Sequence, residues 1–132
     1  RETKGIREIK KFFSKIIENK IKFNKFVQKA KKQNKKIFLY GASTKGNTLL
    51  QYYNINSKII PFAAERSPEK WGKYTIGTGV KIISEKEARK LNPDYFFVMP
   101  YAFIKEFQRR ESKWLKSGGK FLLPYPSFRV VK

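Results

Sequence analysis

Gly41, Ser43, Thr44, Lys45, Gly46 and Asn47 stand in the stretch YGASTKGN, between the apolar run KIFLY and the helix-like segment KGNTLLQYYNI. Small, hydroxyl and amide residues with one lysine at a strand-to-helix junction suit one chemistry. They can seat a phosphate or carboxylate on the backbone amides of a helix N-terminus, with Lys45 supplying charge and Ser43, Thr44 and Asn47 as further donors. Gly41, Ser43 and Gly46 keep the spacing of the dinucleotide fingerprint G-x-G-x-x-G, but serine replaces the middle glycine that lets a pyrophosphate lie against the backbone. A single phosphate, or the outer part of a nucleotide diphosphate, therefore suits this loop better than a dinucleotide. Lys45 precedes the second glycine, so the loop is not a Walker A motif. Glu65 ends the next apolar run, SKIIPFAAE, where an acidic residue often binds ribose hydroxyls. The same loop also reads as a tight turn whose glycines serve only helix-to-strand packing, and the pattern leaves both readings open.

Other reactive side chains are few. The chain has no cysteine and no histidine, so it lacks thiolate chemistry, the commonest general base and the usual zinc ligands. Tyr74, Tyr101 and Glu106 could act as acid or base, but nothing in the sequence pairs them. Asp94 belongs to an NPD turn with a structural explanation. Catalysis by this chain alone is not expected.

The elements that must position the loop follow from periodicity. Ile6, Ile9, Phe13, Ile16, Phe23, Val27 and Ala30 recur at three- and four-residue steps and predict a long amphipathic helix over the lead-in segment 1–35. Phe12, Ile17, Ile21 and Phe26 widen its apolar face, which is expected to cover a sheet or another domain. Asn34 is its expected stop. Beyond it, residues 36–132 alternate strand and helix. The predicted strands are KKIFLYG, SKIIPFAAE, VKIIS, the apolar part of NPDYFFVMP, and a closing KFLLPYP. The predicted helices are KGNTLLQYYNI, EKEARKL with Ser84 and Glu87 in capping-box positions, and AFIKEFQRRESKWLK with Gly118 beyond it. Short loops between strands and helices predict parallel pairing and a Rossmann-like three-layer α/β fold, with the strand ending at Tyr40 central. The glycine loop, Glu65, Pro100 and Tyr101 then share the carboxyl edge of the sheet, where such folds bind ligands.

Net charge bears on partners. The formal charge is +21, with 14 Lys or Arg against 3 Glu in residues 1–36 and 17 against 7 acids in the rest. The excess is spread out, without an arginine cluster, and accompanies abundant Asn, Ile, Phe and Tyr, residues with A/T-rich codons. Basic charge promotes nonspecific polyanion affinity without establishing a role, so a nucleic acid is not the expected partner. No apolar run reaches the ~20 residues of a transmembrane helix. A cytoplasmic protein with no membrane partner is the expectation.

Four segments together, GASTKGNTLLQYYNI, ERSPEKWGKYTIGTGVKI, NPDYFFVMPYAFIKEF and GGKFLLPYP, resemble the C-terminal domain of the S-adenosylmethionine-dependent sugar C-methyltransferases. That family patterns as G-A-x-x-K-G-N-T-L-L, D-R-N-P-x-K-x-G-x-Y-x-P-G-T, P-D-Y with a following P-W, and G-G-x-F. The resemblance implies one domain of a longer enzyme, preceded by a zinc-binding module and a methyltransferase domain, acting on a nucleotide-diphospho-keto-sugar. It implies that S-adenosylmethionine binds elsewhere in the enzyme and no cofactor binds here. Carried over by position, Gly41, Lys45, Gly46, Asn47, Arg66, Lys70 and Tyr74 match the motifs. Glu65 stands where the family has Asp, Ile76 where it has Pro, and Tyr101 where it has Trp. A free-standing nucleotide-binding module and a nonspecific nucleic-acid binder are the alternatives.

Overall fold

A computed structural model describes residues 3–98, 103–124 and 127–132. Helix α1 (Lys4–Lys32) leads into strand β1 (Ile37–Tyr40), helix α2 (Thr44–Tyr52) and strand β2 (Phe62–Glu65). Strand β3 (Lys81–Ser84), helix α3 (Glu85–Lys90) and strand β4 (Tyr95–Val98) follow. Helices α4 (Ile104–Arg110) and α5 (Ser112–Lys116) precede strands β5 (Lys120–Leu123) and β6 (Arg129–Val131). The sheet order is β3-β2-β1-β4-β5-β6, parallel throughout except for β6, which runs antiparallel to β5. The central position expected of β1 is observed, between β2 and β4. The order reverses direction there, which makes the carboxyl ends of β1 and β4 the topological switch point.

Period-two alternation divides each buried strand between two cores. Ile37 and Leu39 of β1, Ala63, Ile82, Phe97 and Leu122 face α1 and α2, and pack with Phe23, Val27, Leu50 and Tyr53. Phe38 and Tyr40, Ala64, Ile83, Phe96 and Phe121 face the opposite side, against Ala88, Phe107 and Trp114 of α3, α4 and α5. The result is the expected three-layer arrangement.

Helix ends follow local chemistry. The hydroxyls of Ser43 and Ser84 accept the amides of Gly46 and Glu87, each at 3.0 Å, at the starts of α2 and α3. Asn34, Asn54 and Asn92 lie just beyond α1, α2 and α3 with φ of 55°, 58° and 51°, the left-handed conformation that stops a helix and that asparagine tolerates.

Three details depart from the sequence expectation. Strand β2 starts at Phe62, not in SKII, because Asn56 organises a turn there: its side chain accepts the Lys58 amide at 3.0 Å and its carbonyl accepts the Ile60 amide at 3.0 Å. Pro61 then offers no N–H to a ladder. The single helix expected between Ala102 and Gly118 is two helices, broken at Glu111, whose backbone (φ −103°, ψ 24°) leaves the helical region. Finally, β5 is not the last strand, since β6 pairs beyond it.

Candidate functional site

The turn from β1 to α2 is fixed from both ends. Gly41, with φ of 85°, donates its amide to Ala64 O at 2.7 Å and extends the contact with β2 by one residue. This left-handed geometry is open to glycine without steric cost. The next amide, of Ala42, donates to Glu65 Oε1 at 2.9 Å, while Glu65 Oε2 accepts the Ser67 amide at 3.0 Å. Lys70 Nζ lies 3.8 Å from the same carboxylate, and the Trp71 indole donates to the Glu65 carbonyl at 2.8 Å. Burial pushes the Glu65 carboxyl up, but the Ser67 and Ala42 amides and the Lys70 charge outweigh it and hold its pKa below the ordinary range.

Ser43 caps α2 and thereby satisfies the Gly46 amide, so its hydroxyl serves the helix. The amides of Thr44 and Lys45, in the first turn, have no intrahelical acceptor. Both residues are exposed, and Lys45 forms no ion pair among the described residues. Their position at the positive end of the α2 dipole favours an anion. Asn47 is used differently from the sequence expectation of a free donor. Its Nδ2 donates to Ile76 O at 2.9 Å and its Oδ1 accepts the hydroxyl of buried Thr78, tying α2 to the glycine-rich loop before β3. Gln51 Nε2 adds a second bond to Ile76 O at 3.0 Å.

Two concavities flank the turn. One, of about 310 Å³ at the carboxyl ends of β1 and β2, is lined by Gly41, Glu65, Arg66, Glu85, Phe107 and Arg110 among others. The other, of about 530 Å³ between α1 and α2, brings Thr44 and Lys45 together with Phe12, Phe13, Leu49 and Tyr52. Arg66 and Lys70 are exposed beside Glu65. Tyr74 is 61% exposed in a strip that pairs antiparallel with β3, through Tyr74–Lys81 and the bond from Gly72 N to Ile82 O at 2.8 Å. Tyr101 and Pro100 lie outside the described residues.

One cluster escaped the sequence reading. The Tyr40 hydroxyl donates to Glu111 Oε2 at 2.7 Å, and Arg89 donates to both Glu111 oxygens at 2.8 and 2.6 Å. Glu85 joins Arg89 at 3.2 Å and pairs with Arg110. Glu111 is 2% exposed. Burial favours its neutral form, but the hydrogen bonds from Arg89 and Tyr40 and the charges of Arg89 and Arg110 keep its pKa below the ordinary carboxylate value. Burial and the neighbouring Glu111 raise the Tyr40 phenol far above its usual value, so Tyr40 stays a donor. No local motif announces such a cluster, because its members meet only when α3, α4 and β1 pack.

Among the described residues no helix is long and apolar enough to cross a membrane. The profile of the C-methyltransferase C-terminal domain family matches residues 1–126. The C-methyltransferase NovU of Streptomyces niveus is 33% identical over 92 residues, covering 70% of this chain and 22% of that protein. The chain thus spans about a fifth of the curated relative that it matches. With a family match over residues 1–126, which takes in β1 and the glycine turn, the chain belongs to the C-methyltransferase C-terminal domain family.

Proposed function

We propose that this domain holds the nucleotide-diphospho-keto-sugar substrate of an S-adenosylmethionine-dependent C-methyltransferase, with the Gly41–Asn47 turn seating a phosphate. The observation that carries this reading is the pair of first-turn amides at Thr44 and Lys45, beside an exposed lysine at the carboxyl end of the central strand. Gly41 and Gly46 keep the turn tight, Ser43 fixes the helix start, and Asn47 anchors α2 so that the amides stay aimed. Glu65 holds the Ala42 amide and retains a lone pair on each oxygen for a ribose hydroxyl. Arg66 and Lys70 add cationic character to the same edge. The methyl group comes from S-adenosylmethionine held by another part of the enzyme; this domain binds and orients the acceptor.

Titrating the intact enzyme with a nucleoside diphosphate, wild type against Lys45→Ala, tests the reading. Loss of one charge-assisted contact should weaken binding by about 1–3 kcal/mol. Equal affinities would reduce the loop to a βα turn.

A further inference from the structure

The first half of α1 leaves its apolar side chains uncovered. Phe23, Val27 and Ala30 in the second half are at most 3% exposed and close one core. Ile6, Ile9, Phe12, Phe13, Ile17 and Ile21 are each between 46% and 56% exposed. At 3.6 residues per turn, Ile9 and Phe12 prolong the stripe that Phe23 and Val27 bury lower down, while Ile6, Phe13, Ile17 and Ile21 form a second stripe beside it. Contiguous apolar surface of this kind, rimmed by polar residues, marks an interaction site. By the same period the patch is cationic at its border and within it: Arg7 lies at one edge, Lys15 with Glu8 at the other, and Lys10 and Lys20 stand among the apolar positions.

We propose that this half of α1 docks the methyl-transferring module of the same enzyme, through a surface that is apolar at its centre and acidic at its edge. The inference rests on family membership and stands apart from the anion reading of the turn. The family match includes all of α1, so the helix belongs to the shared domain, and the matched relative extends far beyond the segment this chain spans. Charge selects the partner's chemistry: a second copy would bring the same cationic rim to a chain of net charge +21, and like charges oppose that contact. Shape separates a protein from a lipid surface. At Phe12 and Phe13 the apolar area enters a groove of about 530 Å³, where they face Leu49 and Tyr52. Protruding side chains fill such a groove and a flat bilayer does not. Docking there sets Thr44 and Lys45, on the same groove, at the seam between modules, where ligand pockets concentrate.

Hydroxyl-radical footprinting of the intact enzyme reads the contact directly. Phe12 and Phe13 should oxidise about tenfold slower than free phenylalanine, as desolvated interface residues do, in an enzyme that sediments as a monomer. Phe13→Ser with Ile17→Ser should abolish the protection of Phe12. Oxidation of wild-type Phe12 and Phe13 at the free rate would overturn the proposal without any variant. So would a dimer that the double substitution dissociates, or protection that appears only with anionic phosphatidylserine vesicles.

Discussion

Glu65 accepts the Ala42 amide at 2.9 Å, so a side chain at the end of β2 sets the backbone of the turn that follows β1. The same carboxylate holds the Ser67 amide, and one residue thereby fixes two adjacent loops at the carboxyl edge of the sheet. Glu65→Ala leaves both partly buried amides without that acceptor and should cost about 1–3 kcal/mol of stability. Glu65→Gln, which keeps one carbonyl oxygen, should cost less. Urea unfolding of the three proteins at neutral pH checks the order. An alanine variant as stable as wild type would show that water replaces the carboxylate fully.

Acid should expose the second buried carboxylate. Glu111 has a folded-state pKa below its unfolded value, so its contribution is complete above the unfolded carboxyl pKa of about 4.3 and is lost as pH falls through the depressed folded value. Glu65 titrates with the same sign. The denaturation midpoint of the wild type should hold from neutral pH into the ordinary carboxylate range and then drop. Glu111→Gln should be less stable at pH 7, by about 2–4 kcal/mol, with a shallower acid decline. Parallel acid profiles for the two proteins would exclude Glu111 as a source of the pH dependence.

Gly119 is held by close approach. A methyl group there would stand 2.1 Å from the Trp114 ring, which is packed against Phe96 and Phe121 and donates to Pro93 O at 2.7 Å. Those contacts hold the ring where the methyl group would fall. Gly119→Ala should therefore cost about 1–3 kcal/mol through overpacking, read as a lowered denaturation midpoint. Trp114→Phe in the same background should recover part of that loss by freeing space. An unchanged midpoint in Gly119→Ala alone would mean that β5 shifts at no cost.

What the sequence made legible was local. The unalternating run at Ile37–Tyr40 identified a strand buried on both faces, and Ser84 and Asn34 marked a helix start and stop by side-chain chemistry alone. The glycine turn was legible as a turn, and its family resemblance was carried by the order of four motifs. The partners of its polar residues were not. Asn47 looked like a free donor because Ile76 and Thr78 lie about thirty positions away and meet it only when the loop before β3 folds over α2. Glu111 carries no local signal of its burial, since the phenol that draws it inward sits 71 residues earlier. The apolar face of α1 was legible as a face, but periodicity does not say which half of it the sheet is long enough to cover.

Asn47 and Lys45 sit two positions apart in α2 and should respond oppositely to alanine. Asn47 supplies two bonds to the loop before β3, one of them to Thr78, which is 3% exposed. Its truncation leaves a buried hydroxyl without that acceptor, for an expected loss of about 1–3 kcal/mol in unfolding free energy. Lys45 is exposed and holds no ion pair among the described residues, so Lys45→Ala should stay within about 0.5 kcal/mol of wild-type stability. Binding should show the reverse emphasis. Lys45→Ala should weaken nucleoside diphosphate binding most at low ionic strength and least at high salt, because an exposed charge is screened within a Debye length of about 10 Å at 0.1 M salt. Asn47→Ala, which removes no charge, should lower affinity by an amount that salt does not change. Calorimetric titration at two salt concentrations, beside urea unfolding of both variants, separates the roles. Two variants with the same salt slope would remove Lys45 from the proposed phosphate seat, whatever the stability data say.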